Sequence, residues 1–323
     1  MNVDSTGALA LNERAWVLAD DCAARADELR VGVQTLSNGA RVLDLGVQAP
    51  GGLAAGQLLA RLCMGGLGGV DFAPLAIDGE SWPGVQVWTD HPAVSCMACQ
   101  YAGWAVTPEG YFAMGSGPLR AKARVERELF EKLGYAEDAA RGVLVLETRT
   151  LPTPDVATWV AKKAGLDPAA ITFAVAPTAS LAGGIQIVAR TVETGLHKMD
   201  TLGFDVRLVL SAMGTAPMTP LAKNDLRAIG RTNDCVLYGG QARYVVQAED
   251  GELEALARKL PSSSSSDYGT PFYEIFKRYD NDFYKIDPLL FSPAEVTLVS
   301  VSSGRSFHAG TVEPDVLERS FRG

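Results

Sequence analysis

The chain has 323 residues, 47% of them hydrophobic and 21% charged, a composition that excludes a disordered chain and leaves room for two domains. Its formal net charge of −9 argues against a general nucleic-acid binder. The opening residues, MNVDSTGALALNERAWVLADD, lack a basic start leading into an apolar core, and no apolar run approaches the roughly 20 residues of a membrane span, so the expectation is a cytoplasmic globular protein with no membrane partner.

In chain order, an amphipathic helix is predicted over about 12–29, with Asn12 as its N-cap. VGVQTLSNGARVLDLGV carries two β-rich runs around Ser37-Asn38-Gly39-Ala40, where Asn-Gly reads as a hairpin turn. GGLAAGQLLARLCMGGLGG reads as a small-residue helix bracketed by glycines. Further strands are predicted at 84–88, 111–114, 142–146, 171–175, 207–210, 235–238, 243–247 and 294–301. Helices intervene near 92–99, 119–133, 154–164, 181–202, 220–229 and 252–259. The serine patch PSSSSSDYG (261–269) reads as a flexible linker or loop, and the aromatic-rich TPFYEIFKRYDNDFYKIDPLLF after it must pack on something.

Hairpins mixed with strand–helix–strand units predict an α+β (mixed α/β) fold rather than a pure doubly wound sheet. The division expected is residues 1–120 and 121–323, each an α/β domain, the C-terminal segment free to return to the first. Five scattered cysteines, Cys22, Cys63, Cys96, Cys99 and Cys235, do not suggest a disulfide framework. Cys96 and Cys99 form a C-x-x-C without a second such pair, and the histidines are His91, His197 and His308, so buried packing is favoured over a metal site.

Glycine- and proline-punctuated loops border the strands, where sites are usually built. In AMGSGPLRAKAR, Gly115, Ser116 and Gly117 lead into a helix start with Arg120, Lys122 and Arg124, an arrangement that suits an anion such as a phosphate. A plain tight turn accounts for the same residues. A dinucleotide fingerprint would need a third glycine near Ala121, so a Rossmann site is open but not favoured.

GGIQIVARTVETGLHKMD (183–200) has an apolar stripe at helical spacing: Ile185, Val188, Val192, Leu196 and Met199. Beside it run Gln186, Arg190, Glu193 and His197, within roughly a sixth of a turn of one another. On these residues alone the plain reading is a solvated flank, with Arg190 and Glu193 adding about 0.2–0.5 kcal/mol as a spaced pair.

From about residue 58 onward the chain resembles methenyltetrahydromethanopterin cyclohydrolases. The resemblance rests on ARLCMGGLGGVDF, TDHPAVSCMACQYAGW, YFAMGSGPLRA, VAPTASLAGGIQIVARTVETGLHK, GTAPMTPLAKNDLRAIGRTNDCVLYGG, DYGTPFYEIFKRYDNDFYKIDP and LFSPAEVT, all in order. It implies a hydrolase that adds water to the cationic methenyl carbon of a C1-carrying pterin and leaves a 5-formyl group, with no metal or redox cofactor. It further implies two domains with a ligand cleft between them that takes the pterin, a homotrimer, and a catalytic arginine–glutamate pair on one helix that matches Arg190 and Glu193. Glu193 would then hold and deprotonate water, a role that can supply about 10²–10⁴-fold. Arg190 would fix the carboxylate, while Gln186, Gly115, Ser116, Gly117 and Arg120 are the candidate substrate contacts. Alternatives are a pterin- or nucleotide-binding module without chemistry, and an NAD-dependent dehydrogenase.

Overall fold

GVLVLE and ITFAVA are apolar almost throughout, which suits strands covered on both faces. In the computed structural model, which describes residues 9–322, they lie at the centre of the first of two six-stranded sheets. The strands are β1 (Gly32–Thr35), β2 (Arg41–Asp44), β3 (Gly68–Ile77), β4 (Glu80–Thr89), β5 (Trp104–Val106), β6 (Ala113–Ser116), β7 (Gly142–Glu147), β8 (Ile171–Ala176), β9 (Val209–Pro217), β10 (Gln241–Val246), β11 (Glu295–Ser300) and β12 (Ser306–Gly310). The first sheet runs β1-β2-β8-β7-β6-β5, parallel at β2/β8 and β8/β7 and antiparallel elsewhere. The second runs β12-β11-β10-β9-β4-β3, with β10 and β11 parallel. The fold is α+β, built on two mixed sheets.

The chain divides into two units. One runs to Gly68 and resumes over Val94–Gln186; the other takes Gly69–Ala93 and everything from Ile187. This division differs from the one expected at residue 120, because the β3–β4 hairpin joins the second sheet through β4 and β9, while residues 94–186 complete the first.

In the first unit the two-residue period of the strands sorts side chains onto two cores. Leu43, Val143, Val145 and Ala174 meet helices Leu11–Ala24 and Leu53–Cys63 on one face. Val42, Leu144, Leu146, Phe173 and Val175 meet helix Pro154–Ala164 on the other. That helix starts as its sequence dictates, with Thr153 capping Val156 N and proline in the first turn. The hairpin forms at Asn38-Gly39, where Gly39 takes φ +88°. Asn12 is not an N-cap. The helix begins at Leu11, after Ala10, and the buried Asn12 amide donates instead to the Pro118 carbonyl at 3.0 Å and Glu137 at 3.2 Å. The helix expected over 119–133 is broken at Arg124, which adopts φ +49° between Leu119–Ala123 and Arg127–Leu133. The helix expected near 92–99 is present as a π-helix, Ala93–Gln100.

In the second unit β11 alternates buried and half-buried residues, so its sheet is closely covered on one face. An aromatic cluster of Tyr238, Phe272, Phe276 and neighbours packs beneath helices Asp225–Leu237, Phe272–Arg278 and Pro314–Arg322. Residues 235–238, expected as a strand, mostly end the first of these helices. Asn224 starts it by accepting from Arg227 N at 3.0 Å, and packing against Phe272–Arg278 outweighs the β preference of Cys-Val-Leu-Tyr.

On that helix Asp234 is buried and accepts from Phe272 N at 2.8 Å. Burial pushes its carboxyl up to about 7, with the hydrogen bond from Phe272 N opposing. The unfolded chain therefore releases this proton near its ordinary 3.8 and the folded chain only near 7, so this site's stability falls as pH rises through that window. Between pH 5 and 8 the loss is about 2–3 kcal/mol. Asp234→Asn can still face an oxygen to Phe272 N and has no proton to lose. Thermal melts across pH should show a smaller decline for this variant than for the parent; parallel curves would refute the assignment.

Candidate active site

The sequence 181–202 forms two helices, Leu181–Val188 and Thr191–Thr201, rather than the single one expected. Ser180 Oγ starts the first by accepting from Gly183 N at 3.0 Å. The break follows from local competition for carbonyls. Arg190 N turns back to Ile187 O at 2.9 Å, and Thr191 Oγ1 donates to Val188 O at 2.8 Å. Arg190 becomes the N-cap residue of the second helix, and Glu193 its third helical position.

The apolar stripe is as expected: Ile185, Val188, Val192, Leu196 and Met199 are all fully buried. Its polar flank is not a solvated face. Gln186, Arg190 and Glu193 are exposed by only 2%, 8% and 4%, and His197 is half-buried. A buried arginine and a buried glutamate are costly unless partnered, and neither lacks a partner here. A carboxylate in a helix's first turn also meets the positive end of the helix dipole. The N-cap and third helical positions share the first turn, so this start carries an arginine and a glutamate, both largely withdrawn from solvent, within one turn of each other.

The second unit holds this helix start closely. Gly214 in β9 lies beneath it, where a Cβ would sit 3.1 Å from Thr191 Cγ2 and 3.2 Å from Val192 Cγ2. The buried Tyr244 of β10 donates to the Val192 carbonyl at 3.1 Å, and any Cβ on Gly195 would overlap its hydroxyl. Gln186 belongs to the first unit. There its amide oxygen accepts from Cys63 Sγ at 3.5 Å, and Cys63 in turn contacts Ser116 Oγ at 3.5 Å.

The Gly115–Arg120 segment is occupied by packing. Gly115 backs onto the Trp104 carbonyl, and Gly117, at φ +96°, donates to Cys99 O at 2.8 Å. Arg120 has no exposed surface. Its Nη1 donates to Met97 O at 3.2 Å and Cys99 O at 3.1 Å, and its Nε to Glu126 at 2.8 Å. Tyr101 and Phe130 rings flank it at 5.1 and 5.7 Å. The following helix is only five residues long. Arg120 is therefore a structural hub that orders 97–101, and the phosphate-cradle expectation draws no support from its surroundings. Its partner Glu126 was readable in ARVERE, six residues on. Cys96 and Cys99 are buried free thiols, and burial pushes Cys99 well up. Among the described residues no three His, Cys, Asp or Glu side chains gather as a metal site, and no helix is long and apolar enough to cross a membrane.

Sequence reasoning missed Lys198. It lies on the helix that begins with Glu193, yet it is fully buried. Its Nζ donates to Pro261 O at 2.6 Å, Ser264 Oγ at 2.8 Å and Leu289 O at 2.5 Å. Burial pulls it down to about 7, and the Asp287 charge opposes this. Three acceptors each need a hydrogen, which only the ammonium form supplies. The signal for it was a lysine flanked by the stripe residues Leu196 and Met199.

A family model described as Cyclohydrolase (MCH) matches residues 10–321. The chain is 42% identical over 315 residues to a methenyltetrahydromethanopterin cyclohydrolase of Methanosarcina mazei, spanning 97% of this chain and 98% of that protein. It is 46% identical over 316 residues to one of Methylobacterium sp. (strain 4-46), spanning 96% and 97%. Against one of Methanocaldococcus jannaschii the identity is 43% over 316 residues, spanning 97% and 98%.

Proposed function

The chain belongs to the cyclohydrolase (MCH) family, and from that premise we propose that it hydrolyses 5,10-methenyltetrahydromethanopterin reversibly to 5-formyltetrahydromethanopterin in C1 metabolism. The methenyl carbon bridges two nitrogens and shares their positive charge, so it is already electrophilic. A water oxygen bonds to that carbon while Glu193 takes its proton. The C–N10 bond of the tetrahedral adduct then breaks, its electron pair stays on N10 with a proton, and the carbon leaves as the N5 formyl group. One proton is released overall. No electrons are transferred, and the substrate brings its own positive charge, so neither a redox group nor a Lewis acid is invoked.

The observation that carries this reading is the burial of Arg190 and Glu193 together at a fresh helix start. A carboxylate held away from bulk water is a stronger base than a solvated one. Arg190 orients it and meets negative charge developing on the adduct oxygen. Gln186 is retained as a polar contact for the pterin, whereas the Arg120 guanidinium is already engaged and is not assigned to substrate. A cytoplasmic homotrimer belongs to the same reading. Trp88 and Met213, cross-strand partners on β4 and β9 at 47% and 42% exposure, supply apolar surface that assembly would cover.

One experiment tests both parts. Purified protein is sized by light scattering, and the peak is assayed with the methenyl pterin, without nicotinamide, by loss of the methenyl absorbance. A peak near three times 34.3 kDa that accelerates hydrolysis is expected. Binding without hydrolysis would make the chain a pterin-binding module, a requirement for nicotinamide would make it a dehydrogenase, and a fully active monomer would overturn the trimer.

A further inference from the structure

The serine patch is a folded knot rather than a linker. Ser262–Ser264 forms a 3-10 turn, and Ser264 Oγ, besides meeting Lys198, donates to Lys259 O at 2.8 Å. Asp287 gathers Ser265 Oγ at 2.8 Å, Ser266 N at 3.0 Å and Leu289 N at 3.0 Å. Its own N–H donates to Asp267 at 3.1 Å. Two loops, 261–267 and 287–290, are thereby tied to each other, and between them they supply every acceptor that Lys198 uses.

Lys198 stands five residues after Glu193 on the same helix, about 7.5 Å further along the axis and about 140° round it. The two side chains thus leave the helix in different directions. At the helix start, Tyr244 holds the Val192 carbonyl. Close packing at Gly214 and Gly195 holds the first turns, while apolar packing along the stripe is non-directional; a directional, off-axis anchor further along adds resistance to roll and sliding. A buried ammonium suits that task, since losing any acceptor leaves a desolvated charge unmet and makes displacement costly.

We propose that Lys198 is a positioning residue for Glu193: its ammonium, clamped by three acceptors from two loops, fixes the rotation and axial position of the helix whose first turn carries the carboxylate. The proposal rests on the reading of Glu193 as the base. A small misplacement of a general base can cost up to about 100-fold, even when the mutated residue is remote from the chemistry.

The test is a kinetic cycle. Lys198→Met should lower kcat about 10-fold or more, with KM changed far less. Ser264→Ala, which keeps the lysine and removes one exposed acceptor, should move kcat in the same direction by less, and Ser264→Thr should restore it. Both losses should vanish in a Glu193→Gln background, because a misplaced base costs nothing once the base is gone. If Lys198→Met and Ser264→Ala slow that background by the same factor as the parent, the role is general stability and the proposal fails. If Lys198→Met does not fold, the Ser264 variants decide by the same comparison. Full kcat in Glu193→Gln alone would overturn the base and the tether together, which separates that failure from failure of the tether only.

Discussion

Replacing Glu193 by glutamine is expected to lower kcat by about 100-fold or more while leaving KM and the melting temperature close to those of the parent. Glutamine keeps the size and much of the hydrogen bonding of glutamate but cannot take a proton from water. The site is 4% exposed, so no bulk water stands ready to replace the carboxylate as proton acceptor. An interaction made only in the transition state reduces kcat and kcat/KM alike, and steady-state kinetics separate this from lost binding. Near-full kcat in the variant would reduce Glu193 to a packed polar residue.

Arg190→Ala is expected to cost about 10- to 100-fold. It removes a buried cation from the helix start that carries Glu193, and with it the group proposed to meet charge developing on the adduct oxygen. Arg190→Lys should recover only part of the rate, because an ammonium cannot reproduce the planar fork of donors. The pair is expected to act as a unit, so Arg190→Ala combined with Glu193→Gln should lose less than the product of the single losses. Strict multiplicativity in the four-variant cycle would show that the two side chains act independently.

Much of the first unit was legible because its signals are local. Continuous apolar runs lie at β7 and β8, Asn38-Gly39 marked a hairpin, and the helix expected over 154–164 forms with those bounds. The errors fell where distant partners decide. Cys-Val-Leu-Tyr at 235–238 has strand-like composition, but the helix capped by Asn224 runs through most of it to pack against Phe272–Arg278. Lys198, some sixty residues away, gives the serine patch its centre, so composition alone suggested a linker. At the site, the spacing of Arg190 and Glu193 was plain. Whether that flank met water was not, because a buried polar flank and a solvated one share the same period. The break at Ala189–Arg190 was hidden for a related reason: Val-Ala-Arg-Thr-Val is compatible with a helix, and only the Thr191 hydroxyl's choice of the Val188 carbonyl reveals the new start.

The two units are interleaved along the chain, and that ordering bears on synthesis. The β3–β4 hairpin emerges from the ribosome early, but the strand that pairs with β4, β9, begins about 120 residues later. At about 5–20 residues per second this is a wait of roughly 6–24 s. Throughout it one ladder edge of β4 lacks its native partner, with Trp88 on that strand. The first unit, by contrast, has all its strands once residue 176 is made. The nascent chain is thus most open to mispairing between the completion of β4 and the arrival of β9, and a chaperone acting on it would find its substrate in that hairpin.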